Sequence, residues 1–224
     1  MGSIQQNINM IKAGLPEGVR LIAVSKNQPV EAVLEAYNGG HRVFGENKAQ
    51  EAMQKYPQLP DDIEWHFIGH LQTNKVKYIT PFVQLIHSVD SEKLLVEINK
   101  SAIKNNRVID CLLQFHIAEE ETKFGFSEDE AVQMLRSPEF SALTNIRICG
   151  VMGMATFTDD ADQISREFTV LKGIFDSLKE KFFARSEVFR ELSMGMSDDY
   201  RIAIKHGSTL VRVGTAIFGA RNYN

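Results

Sequence analysis

Short apolar runs alternate with amphipathic stretches along almost the whole of this chain, and few architectures accept that pattern. The strand-like runs are Leu21–Ser25, Arg42-Val43-Phe44, Glu64–Ile68, Gln84–Val89, Asp110–Ile117, Arg147 to about Ala155, Glu187–Leu192 and Leu210–Val213. Each is short, apolar and bounded by Gly, Pro or polar clusters, as expected of buried strands. Between them lie helical patterns. Pro29 suits a first turn before Val30, Val33, Leu34 and Tyr37, and Ser91 caps a helix that buries Leu94, Leu95, Ile98 and Ala102. Ser127-Glu128-Asp129-Glu130 has the capping-box pattern. The plainest helix carries Ile164, Phe168, Leu171, Phe175, Leu178 and Phe182 on one face. An opening helix runs to about Gly14, and Ala216–Gly219 continues the last apolar run. Eight strands separated by helices imply a parallel sheet covered by helices. In 224 residues without a linker they fit one closed α/β barrel of the (β/α)8 TIM type, residues 1–224, with an extra N-terminal helix. An open doubly wound sheet is the alternative, but no G-x-G-x-x-G follows the first strand.

Composition narrows the function. The chain is 43% hydrophobic and 24% charged, so a real core is available, and its formal charge of −4 offers no basic excess for nucleic acid. Cys111 and Cys149 sit in apolar runs without partners at metal spacing, which predicts buried free thiols and no metal site. The N-terminus lacks the features of a signal peptide or a myristoylation signal, and no run reaches the length of a membrane span. A cytoplasmic protein is expected.

Barrel chemistry collects at the C-terminal ends of the strands. Lys26 stands there, at the end of Leu21-Ile22-Ala23-Val24-Ser25. It caps the strand with a solvated charge or, half-desolvated, serves as a free amine able to condense with an aldehyde. Phosphate sites on such barrels often use the loops after strands seven and eight, here Ser193-Met194-Gly195-Met196-Ser197 and Gly214-Thr215. Asp198 and Asp199 would repel an anion unless turned away, and Ser197-Asp198-Asp199 also reads as an ordinary helix start. Arg212 lies inside an apolar strand, where it needs either a ligand or an acid such as Glu46. Alternation puts Trp65 and Phe67 on one face and His66 and Ile68 on the other. A hydrogen-bonded structural role for His66 is commoner than a catalytic one.

Taken together, Ala23-Val24-Ser25-Lys26, Gly45-Glu46-Asn47, the run from Trp65 to Lys75, Leu192–Asp199 and Val211–Gly219 resemble the pyridoxal phosphate homeostasis protein family, related in fold to the N-terminal barrel of alanine racemase. The resemblance runs in order over nearly the whole chain. It implies that Lys26 holds pyridoxal 5′-phosphate as an internal aldimine, and that Ser193, Ser197, Gly214 and Thr215 hold the phosphate. It further implies that Arg212 faces the pyridine nitrogen and that Asn47 and His66 line the pocket. A cationic arginine at that nitrogen weakens the cofactor as an electron sink. Racemases of this fold take one base from a second, β-rich domain, whereas this sequence stops five residues after Gly219. No residue is therefore expected to be catalytic. The resemblance implies a protein that binds, buffers and delivers the cofactor, with other B6 vitamers and cofactor-dependent apo-enzymes as possible partners, and a monomer is expected. The competing readings are a small pyridoxal phosphate-dependent racemase or lyase, with His66 or a partner subunit's side chain as base, and a phosphate-binding barrel enzyme without an aldimine.

Overall fold

In the computed structural model, residues 3–119 and 124–219 are described. Residues 120–123, in the Glu- and Lys-containing stretch that follows the fifth strand, lie outside the described residues. The elements run α1 (Ile4–Ala13), β1 (Arg20–Val24), α2 (Val30–Asn38), β2 (Val43–Glu46), α3 (Ala49–Lys55), β3 (Glu64–Phe67), α4 (Val76–Ile79), β4 (Leu85–Val89) and α5 (Glu92–Lys104). They continue with β5 (Ile109–Phe115), α6 (Glu128–Leu135), α7 (Pro138–Ser141), β6 (Ile146–Gly153), α8 (Ala161–Phe182), β7 (Glu191–Ser193), α9 (Tyr200–Lys205), β8 (Leu210–Val213) and α10 (Thr215–Phe218). The eight strands pair in chain order, all parallel, and β8 closes on β1 through Ile22 opposite Arg212. The barrel expected from the alternation is the fold.

Period-2 alternation divides the side chains between two cores. Leu21, Ala23, Phe44, Trp65, Phe67 and Val211 pack outward against the helices, whereas Ile22, Leu85, Leu112, Cys149, Met152 and Leu210 fill the barrel. The helices close the outer layer with their apolar stripes; on α8, Ile164, Phe168, Leu171 and Leu178 are all buried. Ser127 and Glu130 form the expected capping box, and Ser91 accepts from the Leu94 amide. Both cysteines are buried free thiols, and burial pushes the Cys149 thiol up to about 12. Among the described residues no helix is long and apolar enough to cross a membrane.

Two elements differ from the sequence reading. The seventh strand does not begin at Glu187 but covers only Glu191–Ser193. Phe189 is buried in an aromatic stack with Phe183 and Phe175, and Lys179 Nζ donates to the carbonyls of Ser186 and Phe189. Those carbonyls are thereby withdrawn from the sheet. The apolar run after β8 is not more strand but α10, because the amides of Ile217 and Phe218 turn back to the Gly214 carbonyl. The extra helix α1 fastens this end: Asn7 Nδ2 donates to the Ile217 carbonyl at 2.8 Å.

Candidate functional site

The alternation that fills the barrel also builds its upper rim. In β1 the inward phase is Ile22 and Val24, and the next inward position is Lys26, half-buried just beyond the strand end. The same phase places Asn47 after β2, Ile68 after β3, Met154 after β6 and Gly214 after β8. These residues line a cavity of about 490 Å³ at the C-terminal end of the barrel, together with Ser197, Arg212 and Thr215.

The turn that carries Lys26 is held from beneath. Lys55, from α3, donates to the Ser25 carbonyl at 2.7 Å, to Glu46 Oε1 at 2.8 Å and to Glu51 Oε1 at 2.7 Å. Ser25 Oγ donates to the same Glu46 oxygen at 2.7 Å, and Glu51 Oε1 also accepts the Asn27 amide at 2.6 Å. Asn27 has φ 58, the left-handed conformation that asparagine tolerates better than most residues. Burial raises the Glu46 pKa, and the Lys55 charge and the hydrogen bonds from Lys55 and Ser25 offset part of that rise. The next residue, Asn47, faces the cavity. Gly69 lies so close behind it that a Cβ there would stand 2.4 Å from the Asn47 carbonyl oxygen. The buried Asn47 Oδ1 has no hydrogen-bond partner among the described residues, so a ligand donor can satisfy it.

Opposite stand the loops after β7 and β8. Arg212 is buried and makes no ion pair among the described residues. Glu46, the acid weighed as its partner, is committed to Lys55 instead. Nη1 of Arg212 donates to Ser193 Oγ at 2.6 Å and Nη2 to the Gly153 carbonyl at 3.1 Å. Burial lowers its pKa to about 10, so the guanidinium stays charged at neutral pH. Ser197 Oγ accepts the Gly214 amide at 3.3 Å, which leaves its own proton available to a ligand. Asp199 does not crowd an anion from outside: its carboxylate folds inward onto the Met196 amide. Gly195, at φ +94, allows this tight course, since a Cβ there would meet Tyr200 Cα at 2.8 Å.

Two of the sequence candidates stand elsewhere. Ser193 is fully buried beneath the rim, its hydroxyl engaged by Arg212 and by His87 Nδ1 at 2.9 Å. It lies below the loop after β7 rather than in it, because β7 is still in its inward phase at this position. His66 also points into the barrel, bonded to Glu64 at 2.8 Å and to His87 at 2.9 Å, and does not line the cavity. The structure thus gathers Lys26, Asn47, Ser197, Arg212, Gly214 and Thr215 around one cavity and sets Ser193 and His66 in the layer below.

Buried histidines make the fold sensitive to acid. Burial lowers the pKa of His66, lowers that of His87 further, and brings that of His41 down to about 4 from an ordinary 6.5. The unfolded chain therefore binds protons that the folded chain refuses, and stability falls as pH drops from 6.5. Each histidine contributes up to about 1.4 kcal/mol per pH unit within its window. Urea unfolding at about pH 7 and about pH 5 should show this loss; equal stabilities would contradict it.

Fold and cavity together define a class, the closed barrel of the alanine racemase type with a lysine at the end of its first strand. The family model described as the alanine racemase N-terminal domain matches residues 1–222. A pyridoxal phosphate homeostasis protein of Aquifex aeolicus is 40% identical over 215 residues, covering 95% of this chain and 92% of its own. The protein of that name from Schizosaccharomyces pombe is 34% identical, covering 99% and 94%. PipY of Synechococcus elongatus superposes with a TM-score of 0.90 without pyridoxal phosphate and 0.87 with it bound, at 36% and 35% identity, over 97% of this chain and all of its own. An alanine racemase from E. faecalis shares the fold alone, at 16% identity and TM-score 0.71, over 57% of its own chain. The chain belongs to the pyridoxal phosphate homeostasis protein family.

Proposed function

We propose that this protein binds pyridoxal 5′-phosphate in the C-terminal cavity and takes part in B6 homeostasis by holding and releasing it, without robust catalysis. The carrying observation is the donor set. A lysine amine, a buried arginine that makes no ion pair among the described residues, a hydroxyl and a glycine-threonine backbone turn face one cavity, with an unsatisfied Asn47 oxygen between them. Such a set fits a ligand with an aldehyde, a phosphate and a ring hydroxyl. The bound form of PipY and the names of the relatives support this reading.

In this reading the Lys26 amine takes the aldehyde, Ser197 with Gly214 and Thr215 takes the phosphate, and Arg212 faces the ring nitrogen. Ser193 supports Arg212, and His66 supports the layer below. When bound, the cofactor supplies an electron sink, and a cation opposite its ring nitrogen weakens that sink. The acid-base group that a racemase needs is not furnished by His66, whose two ring nitrogens are engaged inside the barrel. We place the protein in the cytoplasm as a monomer, with residues 1–224 as one binding domain. Related B6 vitamers and transiently docking apo-enzymes are its further partners.

The test is to load the protein, add L-alanine and follow both cofactor retention and alanine chirality. Saturable binding with unchanged chirality is expected. Appearance of D-alanine or of a cleaved product would replace the binding role with a racemase or lyase.

A further inference from the structure

Beneath the cavity an unbroken chain of hydrogen bonds crosses the barrel interior. It runs from Arg212 Nη1 to Ser193 Oγ at 2.6 Å, from Ser193 Oγ to His87 Nδ1 at 2.9 Å, from His87 Nε2 to His66 Nδ1 at 2.9 Å, and from His66 Nε2 to Glu64 Oε1 at 2.8 Å. Arg212, Ser193, His87 and His66 are all buried. The two ends fix its direction. A guanidinium can only donate, and Glu64, held down to about 2 chiefly by its bond to His66, can only accept. With both rings neutral, Ser193 accepts from Arg212 and donates to His87. His87 carries its proton on Nε2 and gives it to His66 Nδ1, and His66 carries its proton on Nε2 toward Glu64. With both rings neutral, this is the one arrangement of protons that satisfies every partner. Burial favours that state, as do the charges of Arg212 and Arg20 around His87.

We propose that His87, acting through Ser193, is a positioning residue for Arg212 and holds the guanidinium as a fixed donor toward the ring nitrogen of the bound cofactor. The inference rests on the cofactor reading above. Without an acceptor at position 87 the Ser193 hydroxyl can turn its proton elsewhere, and Arg212 loses the oriented lone pair that anchors it.

Two measurements test it. In the apo protein, nitrogen NMR should find both His66 and His87 neutral with the proton on Nε2 at neutral pH. A proton on Nδ1 of either ring, or an imidazolium, would overturn the chain. The second measurement compares binding of pyridoxal phosphate with that of the analogue in which a CH replaces the ring nitrogen. The wild type should prefer the natural cofactor by roughly tenfold, the scale of one hydrogen bond to a charged group. His87→Leu should lose that preference while binding the analogue as before. His87→Asn, whose Oδ1 stands near the place of Nδ1 and can accept from Ser193, should keep it. Retained preference in His87→Leu, or equal loss for both ligands, would overturn the proposal. A wild type that binds both equally would overturn it while leaving the cofactor reading intact, and a wild type that binds neither would overturn the cofactor reading itself.

Discussion

Replacing Lys26 by alanine is expected to abolish stable retention of pyridoxal phosphate. The wild type should keep the cofactor and its visible absorbance through gel filtration, and Lys26→Ala should emerge without either. The expected weakening is at least about a hundredfold, or roughly 2.8 kcal/mol. Lys26 is the only lysine lining the cavity among the described residues, so no second amine stands ready there. The phosphate subsite proposed at Ser197, Gly214 and Thr215 is untouched, so weak, fully reversible binding should persist and be competed by inorganic phosphate. Equal retention by the variant would place the attachment elsewhere.

The second large effect lies one layer outward. Lys55→Met should destabilise the fold by about 3–5 kcal/mol, because it leaves Glu46 as a buried carboxylate without its cation. For a domain of this size that corresponds to a fall in Tm of roughly 10 °C. Glu46 sits with 1% of its side chain exposed, and its Oε2 already lacks a hydrogen-bond partner among the described residues. The deficit should shrink as pH falls. An acid whose folded pKa is raised takes up a proton on folding, and the neutral form carries no desolvation penalty for its charge. Comparing the two proteins by urea unfolding at about pH 8 and about pH 5.5 checks both the size and the sign. The Lys55→Met, Glu46→Gln pair should recover much of the loss. Because Lys55 also holds the Ser25 carbonyl, the single variant should bind the cofactor more weakly even where it is folded.

What could be read from the sequence follows from what period-2 alternation carries. Apolar runs such as Leu21-Ile22-Ala23-Val24 and Leu210–Val213 are strands because nothing else of that length buries so much, and eight of them close into a barrel. The inward phase then follows from simple counting, which is why Lys26, Asn47, Arg212 and Gly214 meet at one rim. Depth along the barrel does not follow from counting. Ser193 and Ser197 look alike in the sequence, yet one lies beneath the rim and the other at it, and only the short β7 decides this. His87 stood in plain view in a buried strand, but its link to His66 depends on the stagger between β3 and β4, which a single sequence does not display. Lys55 left a local signal in the Glu51–Lys55 spacing of a helix, although its reach to Ser25 and Glu46 is a tertiary event. Glu187–Phe189 reads as strand because the segment is apolar enough, and the side chain that takes its carbonyls away, Lys179, comes from a helix.

The most direct test of Lys26 as the anchor is borohydride reduction of the loaded wild-type protein, followed by peptide mass mapping. A phosphopyridoxyl adduct confined to the peptide that contains Lys26 is expected. An adduct spread over surface lysines, or none after incubation with excess cofactor, would contradict the assignment and leave the cavity as a plain anion site.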